Sequence, residues 1–90
     1  MSEELGNVGI ALLGGGAMGE ALAAGVLAAG ARRERVVAAD PDEGRRKHLS
    51  AALGIRTSAD NRAALERADI AVLAVKPGLV KAVLAARKLI

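Results

Sequence analysis

Three consecutive glycines, Gly14-Gly15-Gly16, end a short apolar run and open a stretch rich in Ala and Leu, so neither a helix nor a strand can pass through them undisturbed. With Ala17, Met18 and Gly19 they spell G-x-G-x-x-G. The run before them, Asn7 to Leu13, has the length of a buried strand, and the stretch after them, Ala17 to Ala29, has the length and composition of a helix that ends at Gly30. In that setting each glycine has a physical task. Gly14 makes a tight turn, Gly16 leaves the backbone open to a pyrophosphate, and Gly19 lets the helix lie close on the strand, while the helix N-terminus supplies free N–H groups and partial positive charge. A turn chosen only for tightness would need the same glycines and would bind nothing.

The rest of the chain keeps the strand and helix alternation. Arg35 to Ala39 reads as a second strand, stopped at Asp40-Pro41, and Asp42 to Leu53 as a helix with Leu49, Ala52 and Leu53 on its apolar side and Gly54 as its terminator. Ile55 to Thr57 is a brief third strand, and Asp60 caps a short helix that runs to Arg67. Ile70-Ala71-Val72-Leu73-Ala74-Val75 is the clearest buried strand, ending at Lys76-Pro77-Gly78, and the apolar spacing of Leu79, Val80, Val83, Leu84 and Leu89 predicts a fourth helix over Leu79 to Ile90. The expected fold is therefore α/β: part of a doubly wound, Rossmann-type parallel sheet, four strands alternating with four helices, forming one domain over residues 1–90. Strand one should lie between strands two and four, so a crevice should open at their C-terminal ends, lined by Gly14 to Gly19 and Ala74 to Pro77.

Around that crevice the charged residues divide. Asp40 ends strand two, where a carboxylate can accept hydrogen bonds from adenosine ribose hydroxyls and so points to NAD(H). Arg45, Arg46 and Lys47 follow, and they fit either a solvated helix face or the 2′-phosphate of NADP(H). Lys76 is the charge nearest the end of strand four, and a positioning role suits it better than a catalytic one. His48 is the sole histidine and reads as a helix-face residue; Met18 reads as core packing.

Composition removes other classes. There is no Cys, which excludes disulfides, thiolate metal sites and a Cys nucleophile and fits a reducing compartment such as the cytoplasm. There is no Phe, Tyr or Trp to stack on bases, and the formal charge of +3 is spread along the chain, which argues against nucleic acid. Ile10 to Ala31 is apolar enough to resemble a membrane span, but Glu20 and the three glycines interrupt it, and Glu3 and Glu4 stand where a signal peptide carries positive charge. Neither a membrane nor a secretory route is expected.

Two stretches carry a closer likeness. Ile10-Ala11-Leu12-Leu13-Gly14-Gly15-Gly16-Ala17-Met18-Gly19-Glu20-Ala21-Leu22 and Ala68-Asp69-Ile70-Ala71-Val72-Leu73-Ala74-Val75-Lys76-Pro77 resemble the N-terminal domain of the pyrroline-5-carboxylate reductase family, as does Gly54 to Asn61 between them. The resemblance implies an oxidoreductase that passes hydride from NAD(P)H to the C=N bond of 1-pyrroline-5-carboxylate, giving L-proline, and that works as a homo-oligomer at full length. It implies that Gly14, Gly15, Gly16, Ala17, Met18 and Gly19 hold the pyrophosphate, that Asp40 and Asn61 lie near the adenosine, and that Ala74, Val75, Lys76 and Pro77 flank the nicotinamide. Ala17 stands where many members carry Asn, and Asp40 departs from the Ser or Arg setting associated with NADPH, so the choice between NAD(H) and NADP(H) stays open. The resemblance covers only the first part of a member, without the helical domain that completes the substrate pocket, so these residues alone are expected to be inactive. A binding module without turnover, or the half-domain of another dehydrogenase, would need the same glycines.

Overall fold

The structure, a computed structural model, describes residues 6–14, 16–76 and 79–84. Its strands are β1 (Ile10–Leu13), β2 (Val36–Ala39), β3 (Arg56–Ser58), β4 (Ile70–Lys76) and β5 (Leu79–Leu84); its helices are α1 (Gly16–Ala28), α2 (Glu43–Leu53) and α3 (Asn61–Leu65), with a 3-10 turn at Arg33–Arg35. They form one five-stranded sheet in the order β3-β2-β1-β4-β5, with the first four strands parallel. Strand one is central, as the alternation predicts.

Local chemistry sets the helix ends. Gly30 takes φ 114, its N–H donates to the Leu27 carbonyl at 3.1 Å, and the Ala31 N–H donates to Val26 at 3.0 Å, so α1 closes in the paired-bond motif that favours glycine after a helix. Asp42 caps α2 by accepting the Arg45 N–H at 2.8 Å, and Gly54, at φ 69, ends it. Asp60 caps α3 in the same way through the Arg62 N–H at 3.1 Å.

Alternation along the strands sends residues to two unlike faces. Ile10, Leu12, Val36 and Ala38 pack under α1 and α2 with Ala23, Leu49 and Ile55. Ala11 and Ala39 face the other way, onto Ala64 and Ala68 around the much shorter α3. Leu49 and Leu53 meet the core from α2 as expected, whereas Ala52 is exposed.

One expectation is overturned. Residues 79–84 are not helical but form β5, antiparallel to β4, with Leu79 opposite Lys76. Only Pro77 and Gly78, which lie outside the described residues, separate the two strands; a connection so short returns the chain antiparallel, because a parallel crossover needs about a dozen residues. Val80 and Val83 are β-branched and suit a sheet, and the pairing covers an edge of β4 that would otherwise be open. The rest of the expected helix, including Leu89, lies outside the described residues. The third strand also starts one residue later than expected, at Arg56, and Ile55 just before it is buried in the core with Leu49. No helix among the described residues is long and apolar enough to cross a membrane.

Candidate functional site

The growth of the sheet reverses at β1: β2 and β3 extend to one side, β4 and β5 to the other. The C-terminal ends of β1, β2 and β4 therefore bound the crevice that an open α/β sheet leaves for a ligand. Gly14 follows β1 at φ 71, a conformation that disfavours any side chain. Its N–H donates to the Ala39 carbonyl at 2.8 Å, which pins the turn to the end of β2 and brings Asp40 beside it. Gly19 packs on the same turn, since a Cβ there would stand 2.6 Å from the Gly14 carbonyl oxygen.

Gly16 opens α1, whose first turn carries no acidic residue. The residue before it, Gly15, lies outside the described residues and has no side chain with which to cap. The first turn of α1 thus brings no carboxylate of its own to the amide end, whereas Asp42 and Asp60 cap α2 and α3. Ala17 is exposed in that first turn. Met18 continues it.

On the other side of the turn, Leu13 is level with Leu73, so Ala74, Val75 and Lys76 carry β4 past the end of β1 and flank the turn. Pro77 lies outside the described residues. Asn61 is exposed at the start of α3, after β3, one strand further from Gly14 than Asp40 is. A cavity of about 330 Å³ at the opposite, N-terminal end of the strands is lined by Gly9, Ile10, Arg35, Val36 and Arg67. The glycine turn and the C-terminal strand ends lie at the other end of the sheet from that concavity.

The basic run after β2 is not simply a solvated face. Arg45 Nη2 lies 3.3 Å from Glu20 Oε1, and its Nε is buried without a partner among the described residues. Arg46 Nη1 donates to the carbonyls of Asp40 and Pro41 at 2.9 and 3.0 Å. Lys47 alone is well exposed, 3.6 Å from Glu43 one helical turn away. His48 is exposed as expected, yet its Nε2 lies 3.0 Å from both carboxylate oxygens of Glu20. Sequence reading had no signal for this cluster, because α1 supplies the acid and α2 the bases.

The hydrogen bond from His48, and the Arg45 guanidinium after it, hold the Glu20 carboxyl below its ordinary range. A carboxylate with a depressed folded-state pKa stabilises the fold above the unfolded value, about 4.3 for glutamate, and that contribution is lost as pH falls through the folded value. Glu20→Gln should accordingly flatten the acid limb of stability in urea titrations between neutral pH and pH of about 3. An unchanged acid limb would mean the α1 to α2 contact does not hold in solution. Among the described residues no group of His, Cys, Asp and Glu is placed to hold a metal ion.

Residues 9–89 match the family described as NADP oxidoreductase coenzyme F420-dependent. The chain is also similar to curated proteins named pyrroline-5-carboxylate reductase: 41% identical over 71 residues to that of Vibrio alginolyticus, covering 79% of this chain and 26% of the relative. It is 43% identical over 79 residues to that of Methanosarcina acetivorans, covering 87% and 29%. It is 37% identical over 75 residues to that of Corynebacterium melassecola, covering 83% and 28%. The chain thus spans less than a third of the length of these relatives. No solved structure matches it significantly.

Proposed function

This chain belongs to the family described as NADP oxidoreductase coenzyme F420-dependent, and from that premise we propose that it is the NAD(P)H-binding portion of a pyrroline-5-carboxylate reductase-like oxidoreductase. The observation that carries the reading is the Gly14 turn, held to β2 by its N–H and covered by Gly19, at the amide end of α1, whose first turn holds no acidic residue. The family description names both NADP and coenzyme F420; the relatives are named for pyrroline-5-carboxylate reduction, which favours the imine as substrate.

Gly14, Gly15, Gly16, Ala17, Met18 and Gly19 hold the pyrophosphate, with backbone N–H groups of α1 donating to it. Asp40 accepts from the adenosine ribose, Asn61 lies on the adenosine side, and Ala74, Val75, Lys76 and Pro77 orient the nicotinamide half. When bound, the reduced nicotinamide supplies the hydride that converts 1-pyrroline-5-carboxylate to L-proline. Groups that touch the imine belong to the part of the relatives that this chain does not span. These residues thus supply the cofactor-binding part of the reaction, and the reductase acts in the cytoplasm as a homo-oligomer.

Thermal unfolding with and without cofactor tests the reading. A cofactor present at about 100 times its dissociation constant adds about 2.7 kcal/mol to a fold that alone binds it, a rise of about 10 °C or more in a domain this small. Gly16→Val should abolish the rise by placing a side chain where the pyrophosphate approaches. A folded chain whose midpoint neither NADH nor NADPH raises would refute the proposal.

A further inference from the structure

The turn between β2 and α2 decides which of the two dinucleotides fits. Asp40 is only 9% exposed and is held at three of its atoms. Its N–H donates to the Ser58 carbonyl at 2.9 Å, its carbonyl accepts from Arg46 Nη1 at 2.9 Å, and its Oδ1 accepts the Asp42 N–H at 2.9 Å. Oδ2 accepts nothing from the described residues. A carboxylate fixed next to the Gly14 turn with one oxygen unused is an acceptor ready for a ribose hydroxyl and a repulsive neighbour for a phosphate.

Two of the three cations that could offset this repulsion, Arg45 and Arg46, are engaged elsewhere, and the third, Lys47, is a well-exposed side chain. Arg45 turns back to Glu20 on α1, and Lys47 lies over Glu43. Arg46 spends one edge of its guanidinium on the carbonyls of Asp40 and Pro41, which makes it a brace for the turn. Two further carboxylates, Asp42 and Glu43, follow Asp40 at the start of α2 and add negative charge to this side of the turn.

We infer that this chain selects NADH over NADPH, with Asp40 as the discriminating side chain and Arg46 as the positioning residue that holds it. The inference rests on the dinucleotide-binding reading and departs from the family description, which names NADP.

Equilibrium titration of the full chain with NADH and with NADPH, followed by dihydronicotinamide fluorescence, gives the test. The chain has no Trp or Tyr, so protein emission does not intrude. NADH should bind at least about tenfold tighter, a difference of about 1.4 kcal/mol. Asp40→Asn keeps an acceptor for the Asp42 N–H while removing the charge, and should bring the NADH to NADPH ratio close to one.

Arg46→Ala separates the two roles open to that side chain. If Arg46 braces Asp40, its loss lowers the ratio; if it binds the phosphate, its loss raises the ratio by weakening NADPH alone. A merely structural role would weaken both cofactors equally and leave the ratio unmoved. Circular dichroism confirms that each variant is folded. Equal or tighter binding of NADPH by the unaltered chain, or a raised or unmoved ratio in Arg46→Ala, overturns the inference while leaving the binding site standing. A folded chain that binds neither cofactor overturns the site itself and the inference with it.

Discussion

Leu12→Ala is expected to remove most of the stability of this chain. Leu12 is 2% exposed in the central strand, level with Ala38 on one side and Val72 on the other, and among the described residues it is one of the two largest side chains that are fully buried. Truncating a buried leucine costs about 2–5 kcal/mol, more where the surroundings cannot close over the gap. Here they cannot easily do so. Ala23 and Ala38 have nothing to extend into the space, and no aromatic ring is available to shift into it. Small domains lie near the low end of the usual range of about 5–15 kcal/mol, so the loss is a large share of the whole. The thermal midpoint should fall by about 10 °C or more, read by circular dichroism. A fall of less than about 3 °C would mean that the sheet does not enclose Leu12 between β2 and β4.

Gly9→Ala and Gly25→Ala should move stability in opposite directions. A Cβ on Gly9 would overlap the Arg67 carbonyl oxygen, a backbone atom that cannot swing away as a side chain can. Nor can Gly9 retreat. Its N–H donates to Asp69 Oδ2 at 2.9 Å, and its carbonyl accepts the N–H groups of Asp69 and Ile70 at 2.8 and 3.1 Å. Overpacking at so fixed a point is expected to cost about 3 kcal/mol. Gly25 lies within α1 with nothing within 4 Å of a Cβ, so alanine there should gain up to about 1 kcal/mol from helix propensity alone. Urea midpoints of the two variants check both signs. A tolerated Gly9→Ala would show that the approach of β1 to residue 67 is looser than the structure has it.

What the sequence made legible was local. Gly14 and Gly19 could be assigned their tasks because a turn between strand and helix is coded within a few residues, and both tasks have a counterpart in the structure: φ 71 at Gly14 and the contact between Gly19 and the Gly14 carbonyl. The cap Asp60 and the terminators Gly30 and Gly54 are local in the same sense. Gly9 carried no such signal, since the atom that demands a glycine belongs to Arg67, brought there by the pairing of β1 with β4. Arg46 sits close to Asp40 in sequence, but its donation to main-chain carbonyls depends on how the chain bends at Pro41. Residues 79–84 misled because Leu79, Val80, Val83 and Leu84 fit helical spacing and strand composition alike, and six residues are too few for periodicity to separate the two.

The order of the strands also bears on how the chain assembles. Of the described strands β1 comes first in the chain and lies at the centre of the sheet, so the strands that fill both of its edges come later. Val36 reaches Ile10 from one side early, but Ile70 reaches it from the other only after three helices have been made. Until then one row of N–H and C=O groups on β1 has no partner, and closing that long loop is costly in entropy. The strand that organises the glycine turn thus waits for a partner from far along the chain, and the turn takes its final shape when β4 arrives.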